Sequence, residues 1–312
     1  MILALAGGVG GAKLAEGLAN ALGPDELAIA VNTGDDFQHL GLHVSPDLDT
    51  VMYTLAGLAN AATGWGQSGE TWSFMDALKK LGGPDWFRLG DRDLATHVER
   101  TRRLADGESL SSVTRLLCEK LGLRSMLLPM SDAPVRTRVR TDEGWLDFQH
   151  YFVRKQCRPA LREVRYDGAE AARPSAGLAD ALAAPTLEGI VICPSNPYLS
   201  VSPILALPGV RESIRACGNV VAVSPIVGGE AIKGPAAKIM KELGAEASAL
   251  GVARWYAGLV TTLVIDRADE TLAPSIEALG IRAVVSETVM RDATDRVRLA
   301  GECVALVRAG KA

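Results

Sequence analysis

The sequence predicts an α/β fold: a three-layer, Rossmann-like, mostly parallel sheet with helices on both faces, plus a smaller insertion of mixed helical and antiparallel character. Three observations predict it. Short apolar runs without polar alternation recur along the 312 residues, as in strands buried on both faces. Segments of helical character separate them, the order that makes parallel crossovers. The loops after the strands concentrate glycine, aspartate, serine and asparagine, where open sheets collect ligands. The chain reads as one domain, 1–312, with an insertion over 60–185 that shapes a binding pocket.

Taken in order, Ile2–Ala6 is an apolar run of strand length, followed by glycines and an alanine-rich helix at 12–22. Residues 27–32 form the next apolar run. A helix is predicted over 47–59, and 60–122 is mostly helical with Trp and Gly punctuation near Trp65 and Trp86. Residues 124–166 break the rhythm. Short strands at 127–128, 135–139 and 145–153, with a turn at Asp142-Glu143-Gly144, suggest an antiparallel insertion beside the main sheet. A surface connection and short helix occupy 174–184. Alternation resumes with strands at 189–193, 220–224, 259–266 and Arg282–Ser286, and a last helix at 292–309.

Composition narrows the function classes. Hydrophobic residues make up 48% and charged residues 22%, ordinary for a soluble enzyme. A formal charge of −4 provides no broad basic surface, so nucleic acid is not an expected partner. Five cysteines without a CxxC pair argue against a disulfide framework or structural zinc. The first apolar run is too short for a signal-peptide core, and no run reaches the roughly 18 residues of a membrane span. No membrane association and a cytoplasmic location are expected.

The most informative stretch is Gly7-Gly8-Val9-Gly10-Gly11-Ala12-Lys13. Glycines let the main chain approach an anion, and a helix start offers unpaired N–H groups with partial positive charge. Gly8, Gly10, Gly11 and Lys13 are the candidate diphosphate ligands. The spacing matches neither a Walker A loop nor a full GxGxxG fingerprint. The second stretch is Asn32-Thr33-Gly34-Asp35-Asp36, with Asp47 and Asp49 close behind. Several carboxylates beside a diphosphate suit magnesium, so Asp35, Asp36 and Asp49 are the candidate metal ligands and catalytic groups. Asp47 reads instead as a helix cap.

The tract from Asp85 to His97 is dense in polar and aromatic types. Asp91 or Asp93 begins a helix there, with Arg92 and His97 either projecting into a pocket or forming a capped helix with a surface ion pair. Ser195 and Asn196 follow one strand, and Gly228 and Gly229 another, with Lys233 a few residues on; a common nucleotide-binding rim accounts for all four loops. No nucleophile elbow and no HExxH signature is present, so the rim chemistry is phosphate plus carboxylate rather than acyl transfer.

These motifs occur together, in order, with Pro-Asp-Leu-Asp-Thr-Val-Met-Tyr-Thr-Leu, Gly-Trp-Gly, Glu-Thr-Trp, Asp-Trp-Phe-Arg-Leu-Gly-Asp-Arg-Asp-Leu-Ala-Thr-His and Pro-Ser-Asn-Pro. Over nearly its whole length the chain resembles the CofD/FbiA family, the 2-phospho-L-lactate transferases of coenzyme F420 biosynthesis. The resemblance implies two substrates: a guanosine diphosphate ester of a small acid, and Fo, a 7,8-didemethyl-8-hydroxy-5-deazariboflavin. The terminal ribityl hydroxyl of Fo attacks the phosphorus bearing the acid, and GMP leaves. Magnesium is the implied cofactor. Asp49 and Arg92 match family positions that contact Fo, with Asp91 and His97 beside them, and Asp49 is the candidate for polarising the hydroxyl. Lys13 departs from the arginine of some relatives, keeping the charge but not the fork.

Two other readings were open. YvcK-type regulatory proteins that bind UDP-sugars share a similar glycine turn; the Asp85–His97 tract fits the transferases better. A Rossmann oxidoreductase is disfavoured by the glycine spacing. The small acid, whether lactate, enolpyruvate or glycerate, is not legible, and a homodimer is the default assembly. Residues 124–184 carry no motif and are expected to shape the acceptor pocket or an oligomer contact.

Overall fold

The structure is a computed structural model and describes residues 1–310. Seven strands form one wholly parallel sheet: β1 (Ile2–Ala6), β2 (Leu27–Val31), β3 (Met126–Pro129), β4 (Gly189–Ile192), β5 (Val220–Val223), β6 (Thr262–Asp266) and β7 (Arg282–Ser286), in the order β7-β6-β5-β4-β1-β2-β3. The chain winds outward from β1 in one direction, then returns to β4 on its other side. The order therefore reverses between β1 and β4, the point at which such sheets open a crevice at their carboxyl ends.

Alternation of side chains about β1 builds the two cores. Leu3 and Leu5 join one apolar cluster, Ile2, Ala4 and Ala6 the other, and all five residues of the strand are buried. The second cluster lies under helices α1 (Gly8–Ala21), α2 (Pro46–Leu55) and the C-terminal helix Ala293–Ala309. Gly17 has its reason here: a Cβ would collide with the Arg296 carbonyl, so glycine lets α1 lie against the C-terminal helix. The first cluster is covered by the short helices after β4 and by an antiparallel sheet in the order Gly144–Asp147, Arg136–Thr141, Leu161–Asp167. Between α2 and β3 stand α3 (Ser73–Lys80), α4 (Asp91–Ala105) and α5 (Leu110–Lys120).

Three local expectations change. Residues 127–128 belong to β3 at the edge of the main sheet, parallel to β2, not to the antiparallel insertion. The strand expected over 145–153 ends at Asp147, and His150–Arg154 is a π-helical turn. Phe148, Tyr151 and Phe152 recur at helical spacing, and the rings of Phe148 and Phe152 stack with centroids 5.4 Å apart. The first helix begins at Gly8 rather than 12, so the glycines are its first turn. Among the described residues no helix is long and apolar enough to cross a membrane.

Candidate functional site

A cavity of about 700 Å³ opens over the carboxyl ends of β1, β2, β4 and β5, at the reversal of strand order. Its floor is the first turn of α1. Gly10 permits a close approach, since a Cβ there would collide with the Pro194 carbonyl. Gly11 is filled against Ser195 Oγ and serves this packing rather than the cavity wall. Two side chains secure the turn. The Gly7 N–H donates to Ser195 Oγ (3.2 Å), which donates back to the Gly7 carbonyl (2.9 Å). The Gly8 N–H donates to Asp47 Oδ1 (2.8 Å). The next N–H groups, of Val9 and Gly10, line the cavity and have no acceptor among the described residues. They are the helix-start donors available to an anion.

Asp47 therefore caps α1 rather than its own helix, whose N-cap is Ser45. Its Oδ2 accepts from Asn32 Nδ2 (2.9 Å), and Asn32 is fixed in turn by Leu199 O and the Gly34 N–H. Burial pushes the Asp47 carboxyl up to about 6, against the hydrogen bonds from Asn32 and Gly8 that lower it.

Asn196 caps the π-helical turn Pro197–Val201: its Oδ1 accepts from Tyr198 N and Leu199 N. That fixes the amide and leaves buried Nδ2 with no partner, at the cavity wall. A donor held this way calls for an acceptor from a ligand. Lys13 and Lys233 also line the cavity; burial, then the Arg296 and Lys233 charges, lower the Lys13 pKa, a cluster that an anion would relieve. Lys13 Nζ meanwhile donates to the Met290 carbonyl (2.7 Å).

Gly228 and Gly229 do not reach the cavity. Both have positive φ, 58° and 80°, and they form the two-residue turn between Ile226–Val227 and Glu230–Ala231. The Gly228 N–H is already taken by Asp269 Oδ2 (3.0 Å). Val227 and Lys233, from the flanks of that turn, are the residues presented instead.

Of the three predicted metal ligands, Asp35 and Asp49 line the cavity and Asp36 lies behind it, its Oδ2 held by Ser45 Oγ (2.8 Å) and His43 Nε2 (3.0 Å). The three do not offer ligand atoms within 4.8 Å of one another; among the described residues the set that does is Asp49, Asp93 and His97. A buried guanidinium already supplies positive charge there: Arg100 donates to both oxygens of Asp49. Asp35 and Asp36 differ, because each has a buried Oδ1 without a partner. Burial and then the Asp47 charge hold the Asp35 carboxyl well above the ordinary value. Oxygen donors short of positive charge beside a glycine turn with unpaired N–H groups fit a hard cation such as magnesium.

The Asp85–His97 tract divides at the start of α4. Asp91 faces away from the cavity and accepts from Ser73 N and Phe74 N (both 3.1 Å), tying down the start of α3. Arg92 donates to the Ser68 carbonyl (3.0 Å) and lies outside the cavity. The arginine that lines it is Arg88, four residues earlier, packed over the Trp72 ring at 4.0 Å. His97 lines the cavity, its Nε2 3.3 Å from Asp93 Oδ1. Trp86 and Phe87 add an aromatic wall, and Phe148 and Phe152 of the insertion join it. Sequence reasoning missed Arg88, Phe148, Phe152 and Arg100; for the first, the signal lay inside a tract already singled out.

Comparison with known proteins places this geometry. A family model described as 2-phospho-L-lactate transferase CofD matches residues 2–301. A protein of Kitasatospora aureofaciens named phosphoenolpyruvate transferase is 44% identical over 313 residues, covering 98% of this chain and 97% of its own length. A protein of Methanothermobacter thermautotrophicus named 2-phospho-L-lactate transferase is 37% identical over 300 residues, covering 96% of each. Among solved structures, a UPF0052 family member from Bacillus halodurans superposes with a TM-score of 0.60 at 15% identity, covering 97% of this chain and 98% of that one, a likeness of fold.

Proposed function

The chain belongs to the CofD family of transferases, and on that premise we propose that it moves a phospho-acid from a guanosine diphosphate ester to the terminal ribityl hydroxyl of Fo, releasing GMP. The observation that carries the reading is the double character of one cavity. Its floor presents the free Val9 and Gly10 N–H groups, Asn196 Nδ2 and two lysines, donors suited to a diphosphate. Its wall presents Trp86, Phe87, Phe148 and Phe152, a surface suited to a flat heteroaromatic ring.

In this reading the protein positions reactants and stabilises charge, with no covalent intermediate. Asp49 receives the hydrogen bond of the attacking hydroxyl. The helix start and Lys13 hold the diphosphate in line. Magnesium, held by Asp35 with Asp36 behind it, would neutralise charge on the phosphate oxygens. Relatives named phosphoenolpyruvate transferase run from 38% to 44% identity and those named 2-phospho-L-lactate transferase from 37% to 38%, a small margin in favour of the enolpyruvyl donor. Relatives named transferases at 37% and 44% identity favour the transferase reading over the UDP-sugar regulator.

Asp49→Asn tests the central residue: it deprives buried Arg100 of its counter-charge, so melting temperature is read beside the rate, and the folded variant keeps its donor binding but loses transfer by about 100-fold or more, the scale of general acid–base contributions. Turnover at the wild-type rate removes the role assigned to Asp49.

A further inference from the structure

Arg100, on α4 three residues beyond His97, is 1% exposed and does not line the cavity, yet its guanidinium reaches the one carboxylate assigned to the acceptor. Nη1 donates to Asp49 Oδ2 (3.0 Å) and Nη2 to Oδ1. Nη1 also lies 3.4 Å from His97 Nδ1. The chain of contacts continues from His97 Nε2 to Asp93 Oδ1 (3.3 Å), which accepts from the Tyr53 hydroxyl (2.8 Å). Asp93 is anchored besides by the Glu70 carboxylate, which accepts from its N–H (2.9 Å).

We infer that Arg100 is a positioning residue that acts through Asp49, fixing the plane of its carboxylate toward the acceptor hydroxyl; the inference rests on the reading of Asp49 given above. Three features support it. A two-pronged contact sets both the rotation and the tilt of a carboxylate, which a single hydrogen bond leaves free. Each Asp49 oxygen spends one lone pair on Arg100 and keeps another for a ligand. Burying an ion pair contributes little net stability, since desolvation offsets the attraction, so stability alone does not account for a fully buried arginine paired with a carboxylate of the cavity wall.

Removing Arg100 alone leaves a buried unpaired carboxylate and endangers the fold. The test therefore uses two other variants. Arg100→Lys keeps the charge and loses the fork. The double variant Asp49→Asn, Arg100→Met removes both charges and is compared with Asp49→Asn. Turnover, KM for the guanylylated donor and melting temperature are measured for each. Arg100→Lys lowers kcat about tenfold or more with donor KM within about twofold, and the double variant turns over within about twofold of Asp49→Asn, because Arg100 has nothing left to orient.

The inference is overturned if Arg100→Lys retains the wild-type kcat, whatever its stability. It is equally overturned if Arg100→Met lowers turnover a further tenfold in the Asp49→Asn background. Wild-type turnover by Asp49→Asn instead sinks the reading of Asp49 and this inference with it. Absence of transfer by the wild-type protein with every donor sinks the proposed function and, with it, both.

Discussion

Asp47 shows how a single residue type at a single position takes on a tertiary task. A carboxylate in the first turn of a helix reads as a local cap. In the structure it reaches from α2 to the Gly8 N–H of α1 and to Asn32, fixing the glycine turn from behind. The cost appears in its acidity. Because burial raises the carboxyl to about 6, the protonated form favours the fold. That contribution is complete below the ordinary carboxylate value and is lost as pH rises through about 6. In magnesium-free buffer the melting temperature is therefore expected to fall as pH increases from 4 to 7, and Asp47→Asn to flatten this slope in part, the rest belonging to Asp35. Thermal melts across that window check it; an unchanged slope in the variant contradicts it. Asn196→Ala removes both a cap and the unpartnered amide donor. It should cost about 1 kcal/mol of stability and weaken GDP binding, both readable by thermal shift and calorimetry. A GDP affinity equal to wild type would detach Asn196 Nδ2 from the ligand.

At the scale of elements, the sequence reveals strands far better than side-chain destinations. The apolar runs of β1, β2, β4, β5 and β6 are buried on both faces, so they lack alternation and stand out. The segment after Asp147 misleads because aromatic residues suit strands, while the spacing of Phe148, Tyr151 and Phe152 is helical. Arg88 and Arg92 share one tract, and only the start of α4 at Asp91 decides that the first enters the cavity and the second reaches Ser68. Gly228 and Gly229 have the composition of a phosphate loop and the dihedrals of a hairpin turn. Asp49 and Arg100 stand 51 residues apart, a pairing no local pattern announces. The glycines of α1 carry a sharper expectation. Gly10→Ala drives a Cβ into the Pro194 carbonyl and pushes α1 from the loop after β4. It should lower stability by about 1–3 kcal/mol, the usual cost of overpacking, and weaken GDP binding. Denaturant titration and calorimetry read the two effects; a variant that matches wild type in both removes the close approach from the account.

Across the whole molecule, one feature of topology organises the rest. Strand order reverses between β1 and β4, and the glycine turn and the Ser195–Asn196 loop leave those two strands at the same end. The apolar runs alternating with helices made the open sheet legible, and the polar residues that follow them its ligand-collecting end, but the strand order came only with the structure. The antiparallel part of the insertion, 124–166, was legible only as a change of rhythm, since the placing of Phe148 and Phe152 at the cavity depends on tertiary packing. The assembly is proposed to be a homodimer, which light scattering of the purified protein measures directly. The account's central claim is chemical. The most direct measurement incubates the protein with Fo, magnesium and each of the guanylylated acids, enolpyruvyl, lactyl and glyceryl, and identifies the deazaflavin product by mass. The account predicts a product heavier than Fo by one phospho-acid less one water, the diester, formed fastest from the enolpyruvyl donor with stoichiometric release of GMP. Unmodified Fo with every donor, under conditions where the protein is folded, would contradict it.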